Sequence, residues 1–148
     1  MQISGAQVTE LAQIKALLTA SGLPATDITE THLDRFLVVH NPGGDVVVAS
    51  VGLERFADGA MLRSLAVAKE YQNLGLGRLL VLRAEQMAMD EGCTQLWLLT
   101  TTADEFFRKR GYIVIDRHAV PQDVRQSTEF SQLCPASAVC LYKVLGER

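Results

Sequence analysis

Residues Leu65-Ala66-Val67-Ala68-Lys69-Glu70-Tyr71-Gln72-Asn73-Leu74-Gly75-Leu76-Gly77-Arg78 put an apolar strand, a polar turn and the start of a helix in immediate succession. The first N–H groups of a helix have no intrahelical acceptor and lie at the positive end of its macrodipole. Such a place suits a phosphate. Gly75 and Gly77 keep the backbone bare, where a side chain would hold an anion away. No Gly-Lys-Ser/Thr follows, so this is not the nucleotide loop of that type. The third glycine of a dinucleotide fingerprint is also missing. An ordinary strand-to-helix turn would carry the same two glycines. A second chemical signal is Arg63, set among Leu62, Ser64 and Leu65 in an apolar strand. A cation there needs an anionic partner. Two partners are open: Glu54, near the end of the preceding strand, or a substrate carboxylate gripped by the guanidinium fork.

The run Gln72-x-x-Gly75-x-Gly77 resembles motif A of the GNAT superfamily of acyl-CoA N-acyltransferases, with Leu65, Ala66 and Val67 where that family has its fourth strand. Ala103-Asp104-Glu105-Phe106-Phe107-Arg108-Lys109-Arg110-Gly111-Tyr112 resembles motif B, and the two stand in the family's order and spacing. The resemblance implies acetyl-CoA as cosubstrate. It places the cofactor against Leu65, Ala66, Val67, Gln72, Asn73, Leu74, Gly75, Leu76, Gly77 and Arg78, with Thr102, Phe106 and Phe107 opposite. It also implies a strand that splays from its neighbour at a bulge. The period-two pattern falters across Leu62, Leu65 and Val67, as it does at a bulge or in a strand buried on both faces.

Moving an acetyl group from a thioester to an amine requires a group that takes the ammonium proton, a donor for the oxyanion, and a proton for the thiolate. Glu54 is the candidate base, acting through a water; a solvent-facing Glu at a strand end is the plainer reading. Many members of the family carry Tyr as the second aromatic of motif B. This chain has Phe107, which cannot donate a proton, so Ser64, Thr101, Thr102 or a water are the substitutes.

The segment from Arg125 to Cys140, with Leu99-Thr100-Thr101-Thr102-Ala103, resembles the N-acetyltransferases found with arsenic-resistance genes and the acetyltransferase domain of N-acetylglutamate synthases. Both imply a small amine substrate bearing a carboxylate. Arg63 and Arg125 are then its anchors, with Thr128 and Glu129 as polar groups of the pocket. A surface helix before the last strand is the alternative for Arg125 to Ser131. The competing functions are a protein lysine or N-terminal acetyltransferase, and a non-catalytic acyl-CoA-binding sensor.

The elements that would position these residues follow from periodicity. Thr9 caps a helix with apolar positions Leu11, Ile14, Leu17 and Leu18, ended by Gly22. A short helix is expected over residues 29–34. Strands follow over 35–40 and 45–56, joined by the turn Asn41-Pro42-Gly43-Gly44, then over 60–67. Leu76, Leu79, Leu80, Ala84 and Met87 form a helical stripe that Gly92 ends. Residues 95–101 read as a strand covered on both faces. Thr102 and Glu105 have capping-box spacing for the next helix. Strands over 112–117 and 138–144 complete a single α/β domain over 1–148. The fold class is a mixed sheet: an antiparallel meander, then a parallel strand pair joined by a crossover helix.

The chain has 148 residues, enough for one core without staples. A net charge of -3 argues against a broad nucleic-acid footprint. No apolar run approaches the length of a membrane span, and the N-terminus lacks a secretory pattern. Cys93, Cys134 and Cys140 read as reduced thiols of a cytoplasmic protein, without metal-ligand spacing. His32, His40 and His118 fall at element ends and take no role. Pairing of the last strands across a homodimer stays open.

Overall fold

A computed structural model describes residues 2–133 and 135–146; Cys134 and its expected free thiol lie outside them. Seven strands form one sheet in the order β1-β2-β3-β4-β5-β7-β6. They are β1 Ile3–Gly5, β2 Phe36–His40, β3 Val47–Phe56, β4 Gly59–Val67, β5 Gln95–Thr100, β6 Ile113–Val114 and β7 Val139–Val144. The helices are α1 Leu11–Ala20, α2 Leu76–Asp90, α3 Asp104–Arg108 and α4 Gln122–Arg125. The meander of β2, β3 and β4 is antiparallel, and α2 crosses over to bring β5 parallel to β4.

Alternation along the strands divides the core into layers. Val39, Val51, Leu53, Leu62, Leu96 and Leu98 pack beneath Leu76, Leu80, Val81, Ala84 and Ala88 of α2. Phe36 and Val38 turn the other way, onto Ile14, Leu17 and Leu18 of α1. Met61 and Trp97 meet Val120, Val124 and Phe130 from the segment after β6. The central strand β5 is covered on both faces as its unbroken apolar run predicts, with Leu96, Trp97 and Leu98 all buried.

Several local expectations change. The helix begins at Leu11 rather than after Thr9, because Gln7 and Glu10 form the capping box of a preceding 3-10 turn, Val8–Glu10. Leu79 is 45% exposed and leaves the core stripe of α2. Thr102 does not cap α3. The Thr100 hydroxyl accepts from the Ala103 N–H at 2.9 Å instead, two residues earlier than the capping box would have it. The strand expected over 112–117 shrinks to Ile113–Val114, because Asp116 accepts from the His118 N–H and winds Arg117–Ala119 into a 3-10 turn.

The parallel pairing of β4 and β5 is limited to Ala60↔Leu96 and Met61↔Trp97. Gly59 makes this junction possible, since a Cβ there would lie 2.4 Å from the backbone oxygen of Gln95. Gly59→Ala should therefore cost about 1–3 kcal/mol through overpacking against a backbone atom that cannot give way. Urea unfolding checks this; an unchanged midpoint would show that the β4–β5 junction yields.

Candidate active site

After Met61 the two parallel strands separate, and a bulge in β4 explains why. Ser50 pairs with Ala66 but Gly52 pairs with Arg63, so Val51 faces two residues, Ser64 and Leu65. Ser64 has φ +59°, a left-handed conformation that a residue with a side chain rarely adopts. Two buried contacts hold it. The Ser50 hydroxyl donates to the Ser64 carbonyl oxygen at 2.8 Å, and Arg63 Nε donates to Ser64 Oγ at 3.2 Å. β5 meanwhile continues with β7, pairing Leu98↔Leu141, Leu99↔Cys140 and Thr100↔Val139. The β4 edge from Leu62 onward is thus left without a strand partner, and its backbone groups face a cleft.

Two cavities open along that edge. One, of about 740 Å³, is walled by Tyr71, Gly75, Gly77, Arg78, Phe106 and Arg110, among others. Gly75 caps α2 in the left-handed region at φ +82°. Leu79 N–H makes its bond to Gly75 O at 3.1 Å, so the N–H groups of Leu76, Gly77 and Arg78 precede that bond and face outward from the helix start. A Cβ on Gly77 would extend to 3.5 Å from the Phe106 ring, closing the gap between α2 and α3. Arg110 stacks on the other aromatic wall, its guanidinium carbon 3.8 Å from the Phe106 centroid. This cavity is a cradle for an anion at a helix N-terminus. Of the residues expected to hold the cofactor, Leu65, Ala66, Val67, Gln72, Asn73, Gly75, Leu76, Gly77, Arg78, Thr102 and Phe106 line it; Leu74 does not and is 64% exposed.

The second cavity, of about 670 Å³, lies on the other side of the same edge. Arg63, Ser64, Thr101, Phe107, Glu129 and Pro24 are among its walls. Phe107 is therefore in this wall rather than the first. It is buried and packs edge-on to Phe106 and Tyr112. Tyr112 cannot serve as the missing proton donor. Its hydroxyl donates to Glu85 Oε2 at 2.8 Å, and burial together with that carboxylate pushes its phenol well above the usual range. Thr100 is committed to the α3 turn. Ser64, Thr101 and Thr102 remain on the cavity wall as hydroxyls.

Arg63 has a partner, and it is neither of those expected. Its Nη1 and Nη2 bond both carboxylate oxygens of Asp27, at 2.6 and 2.8 Å, from the loop after α1. Its side chain is 0% exposed. The fork is thus filled by the protein itself. Burial works against charge on both partners, but the paired bonds prevail: Asp27 is held below the ordinary carboxylate range and Arg63 above its own. Glu129 stands 3.7 Å from Arg63 Nη2. It belongs to a π-helical turn, Glu129–Leu133, a rare geometry often found at functional sites. Glu54 is near the cluster but lines neither cavity. It faces His32 Nε2 at 3.6 Å, and its Oε2 is buried without a hydrogen bond. His32 is thus engaged rather than merely solvated, and His40 pairs with Glu10. Arg125 and Thr128 line neither cavity; among the described residues the buried Arg125 Nε has no hydrogen-bond partner. Asp27 was not singled out from the sequence, although the demand of Arg63 for an anion was the signal that could have found it.

Cys93 and Cys140 are buried, and burial raises both thiols, Cys140 to about 11, so neither is a ready nucleophile. Among the described residues no helix is long and apolar enough to cross a membrane, and no group of three metal-ligating side chains gathers.

A family profile described as "Acetyltransferase (GNAT) domain" matches residues 32–114. An uncharacterized N-acetyltransferase of Chlorobaculum tepidum is 39% identical over 82 residues, 55% of this chain and 50% of that protein. An amino-acid acetyltransferase of Pseudomonas fluorescens is 34% identical over 88 residues, 58% of this chain and 20% of that protein. The match thus spans half of the first relative's length and a fifth of the second's. N-acetylglutamate synthase from Neisseria gonorrhoeae, crystallised with coenzyme A and N-acetyl-glutamate, superposes with a TM-score of 0.84 at 22% identity, over 99% of this chain and 35% of its own. A Mycobacterium tuberculosis protein crystallised with CoA gives 0.81 at 21% identity, over 99% and 100% of the two chains. These two share the fold.

The Asp27–Arg63 pair generates a stability prediction. Asp27→Ala leaves a guanidinium buried and uncompensated, which should cost about 3–5 kcal/mol. Chemical denaturation measures it; a loss under about 1 kcal/mol would mean that Glu129 or water takes over the fork.

Proposed function

This chain belongs to the GNAT acetyltransferase family, and we propose that it acetylates the amine of a small amino-acid-like molecule, with acetyl-CoA as its cosubstrate, in the cytoplasm. The observation that carries this reading is that the two cavities share Leu65, Ala66, Val67, Gln72, Thr102 and Ala103. A ligand anchored by its phosphates at the α2 N-terminus can run along the unpaired β4 edge and present its thioester to the second cavity. The carboxylate-bearing substrate is supported by the amino-acid acetyltransferases among the relatives.

The roles follow from placement. The N–H groups of Leu76, Gly77 and Arg78 receive the pyrophosphate. Unladdered backbone groups of β4 hold the chain leading to the thioester and orient its carbonyl. The amine attacks directly in a ternary complex, as is usual for the family; among the described residues the two thiols, Cys93 and Cys140, are buried with raised pKa values and suit no acyl-enzyme step. Of the three hydroxyls, Ser64 is favoured to protonate the departing thiolate: its oxygen already accepts from Arg63 Nε, which leaves its own hydrogen free and makes it more acidic. With Arg63 bound to Asp27, the remaining arginine expected to anchor the substrate carboxylate is Arg125 at the end of α4; it lines neither cavity, so its guanidinium would have to turn toward the cleft to reach the substrate.

Two outcomes test this. Gly75→Val forces a β-branched residue into φ +82° at the head of α2. It should weaken acetyl-CoA binding by roughly tenfold or more while the fold persists. Calorimetry reads it, and a wild-type affinity would remove the phosphates from that cradle. Next, amino acids should be acetylated faster than their decarboxylated amines by about 10²-fold or more, because an amine without the carboxylate forfeits the bidentate pairing with the guanidinium. Arg125→Ala should erase that preference. Initial rates of CoA release for matched pairs measure it; equal rates in the wild type would rule out the carboxylate anchor, and a preference for peptide lysines would reassign the substrate.

A further inference from the structure

Glu129 is the least compensated charge in the second cavity. Its residue is 5% exposed, yet it lines the cavity wall along with Ser64, Leu65 and Thr100. Among the described residues no group donates a hydrogen bond to its carboxyl, and its closest cation is Arg63 Nη2 at 3.7 Å. That cation is shared: its short bidentate bonds go to Asp27, and Glu129 receives only the longer ion pair. The groups facing Glu129 are Arg63 on β4, Asp27 in the loop after α1, and Glu54 on β3, itself beside His32. One guanidinium thus stands against three carboxylates. A second cation is wanted at the cavity, and an acceptor amine arrives as one.

Resting on the acetyltransferase reading above, we propose that Glu129, rather than Glu54, is the group that binds the acceptor's ammonium and takes its proton. Glu54 lines neither cavity and lies against His32, whereas Glu129 opens onto the space where the thioester must meet the amine. The ammonium gives one proton to the Glu129 carboxylate. The freed nitrogen pair forms the C–N bond and the C–S bond breaks; the thiolate takes the Ser64 hydroxyl proton, and the second proton that the nitrogen sheds restores that hydroxyl. Amide and free CoA leave, and Glu129 returns its proton to water. The electrostatics suit a base at neutral pH: burial pushes the carboxyl up, Asp27 and Glu54 push the same way against Arg63, and it titrates at about 7. The acetyl-CoA cradle is untouched by this group.

The experiment is a pH profile of kcat/KM for wild type, Glu129→Gln and Glu54→Gln, over a panel of amino acids, their decarboxylated amines and a lysine peptide. Wild type should show a rising limb with an inflection near 7. Glu129→Gln should lose about 10²-fold or more in kcat and also lose that inflection, with acetyl-CoA affinity unchanged by calorimetry. Glu54→Gln should keep it. The inflection surviving in Glu129→Gln, or a change in KM alone, overturns the proposal while leaving the acetyltransferase reading standing. Turnover of no amine on the panel by wild type overturns both. A readout independent of turnover is thermal stability against pH. The folded carboxyl titrates at about 7 against an ordinary 4.5, so the native state holds an extra proton between those values. Wild-type stability should therefore fall as pH rises through that window and level off above it. Glu129→Gln lacks the titration and should melt higher than wild type at pH 8, its advantage vanishing toward pH 4.5. Parallel curves for the two proteins would also overturn the proposal.

Discussion

Everything at this site depends on one residue of β4 held in the wrong half of conformational space. Ser64 at φ +59° inserts an extra residue opposite Val51 and turns the strand away from β5. A non-glycine residue in that region is strained by roughly 1–3 kcal/mol and persists only where neighbours over-determine it. Here the neighbours are Ser50, which takes the Ser64 carbonyl, and Arg63, which takes its hydroxyl. Without the bulge β4 and β5 would ladder along their length, and no backbone would be free to meet a ligand. The strain creates both cavities at once, which is why they share an edge.

The bulge also explains the buried charges. Arg63 must reach Ser64 from inside the sheet, so its guanidinium is dehydrated and demands a carboxylate. Asp27 satisfies it in bidentate fashion. That pair does not by itself stabilise the fold, since dehydration offsets most of the attraction. Its value lies in geometry: it fixes Arg63, and through Arg63 the bulge. A second polar brace, Tyr112 and Lys143 on Glu85, ties α2 to β7 and to the residue before β6.

What was legible in the sequence was local. The glycine loop reads directly because a helix N-terminus and two bare residues occupy adjacent positions. The bulge showed as lost alternation, and the strand covered on both faces showed as an unbroken apolar run. The need of Arg63 for an anion was legible too, but the identity of the anion was not: Asp27 lies 36 residues away in a loop with no periodic signal. The Thr102 cap failed because three consecutive threonines offer the same hydroxyl, and only the turn decides that Thr100 is used. The strand after Tyr112 came out short because its β-branched residues give way to an Asp that bonds its own backbone. The resemblance placed Glu129 in the pocket, but its burial beside Arg63 was not legible. That burial arises where the segment after α4 folds back over the cleft, as Val124 and Phe130 pack onto Met61 and Trp97, residues far away in sequence.

The absence of a phenol at position 107 then has a physical context. Phe107 packs edge-on between Phe106 and Tyr112, in a wall that borders the reacting space and excludes water from it. A hydroxyl there would need a partner, and the nearby polar groups are committed: Tyr112 to Glu85, Thr100 to the α3 turn. An apolar wall on one side and an underpaired carboxylate on the other make the cleft asymmetric. Charge is tolerated on the Glu129 side and disfavoured on the Phe107 side. On the proposed reading, such a gradient would orient an ammonium toward the carboxylate and leave the thioester against the aromatic ring, so that the field of the site would set the direction of approach before any covalent step.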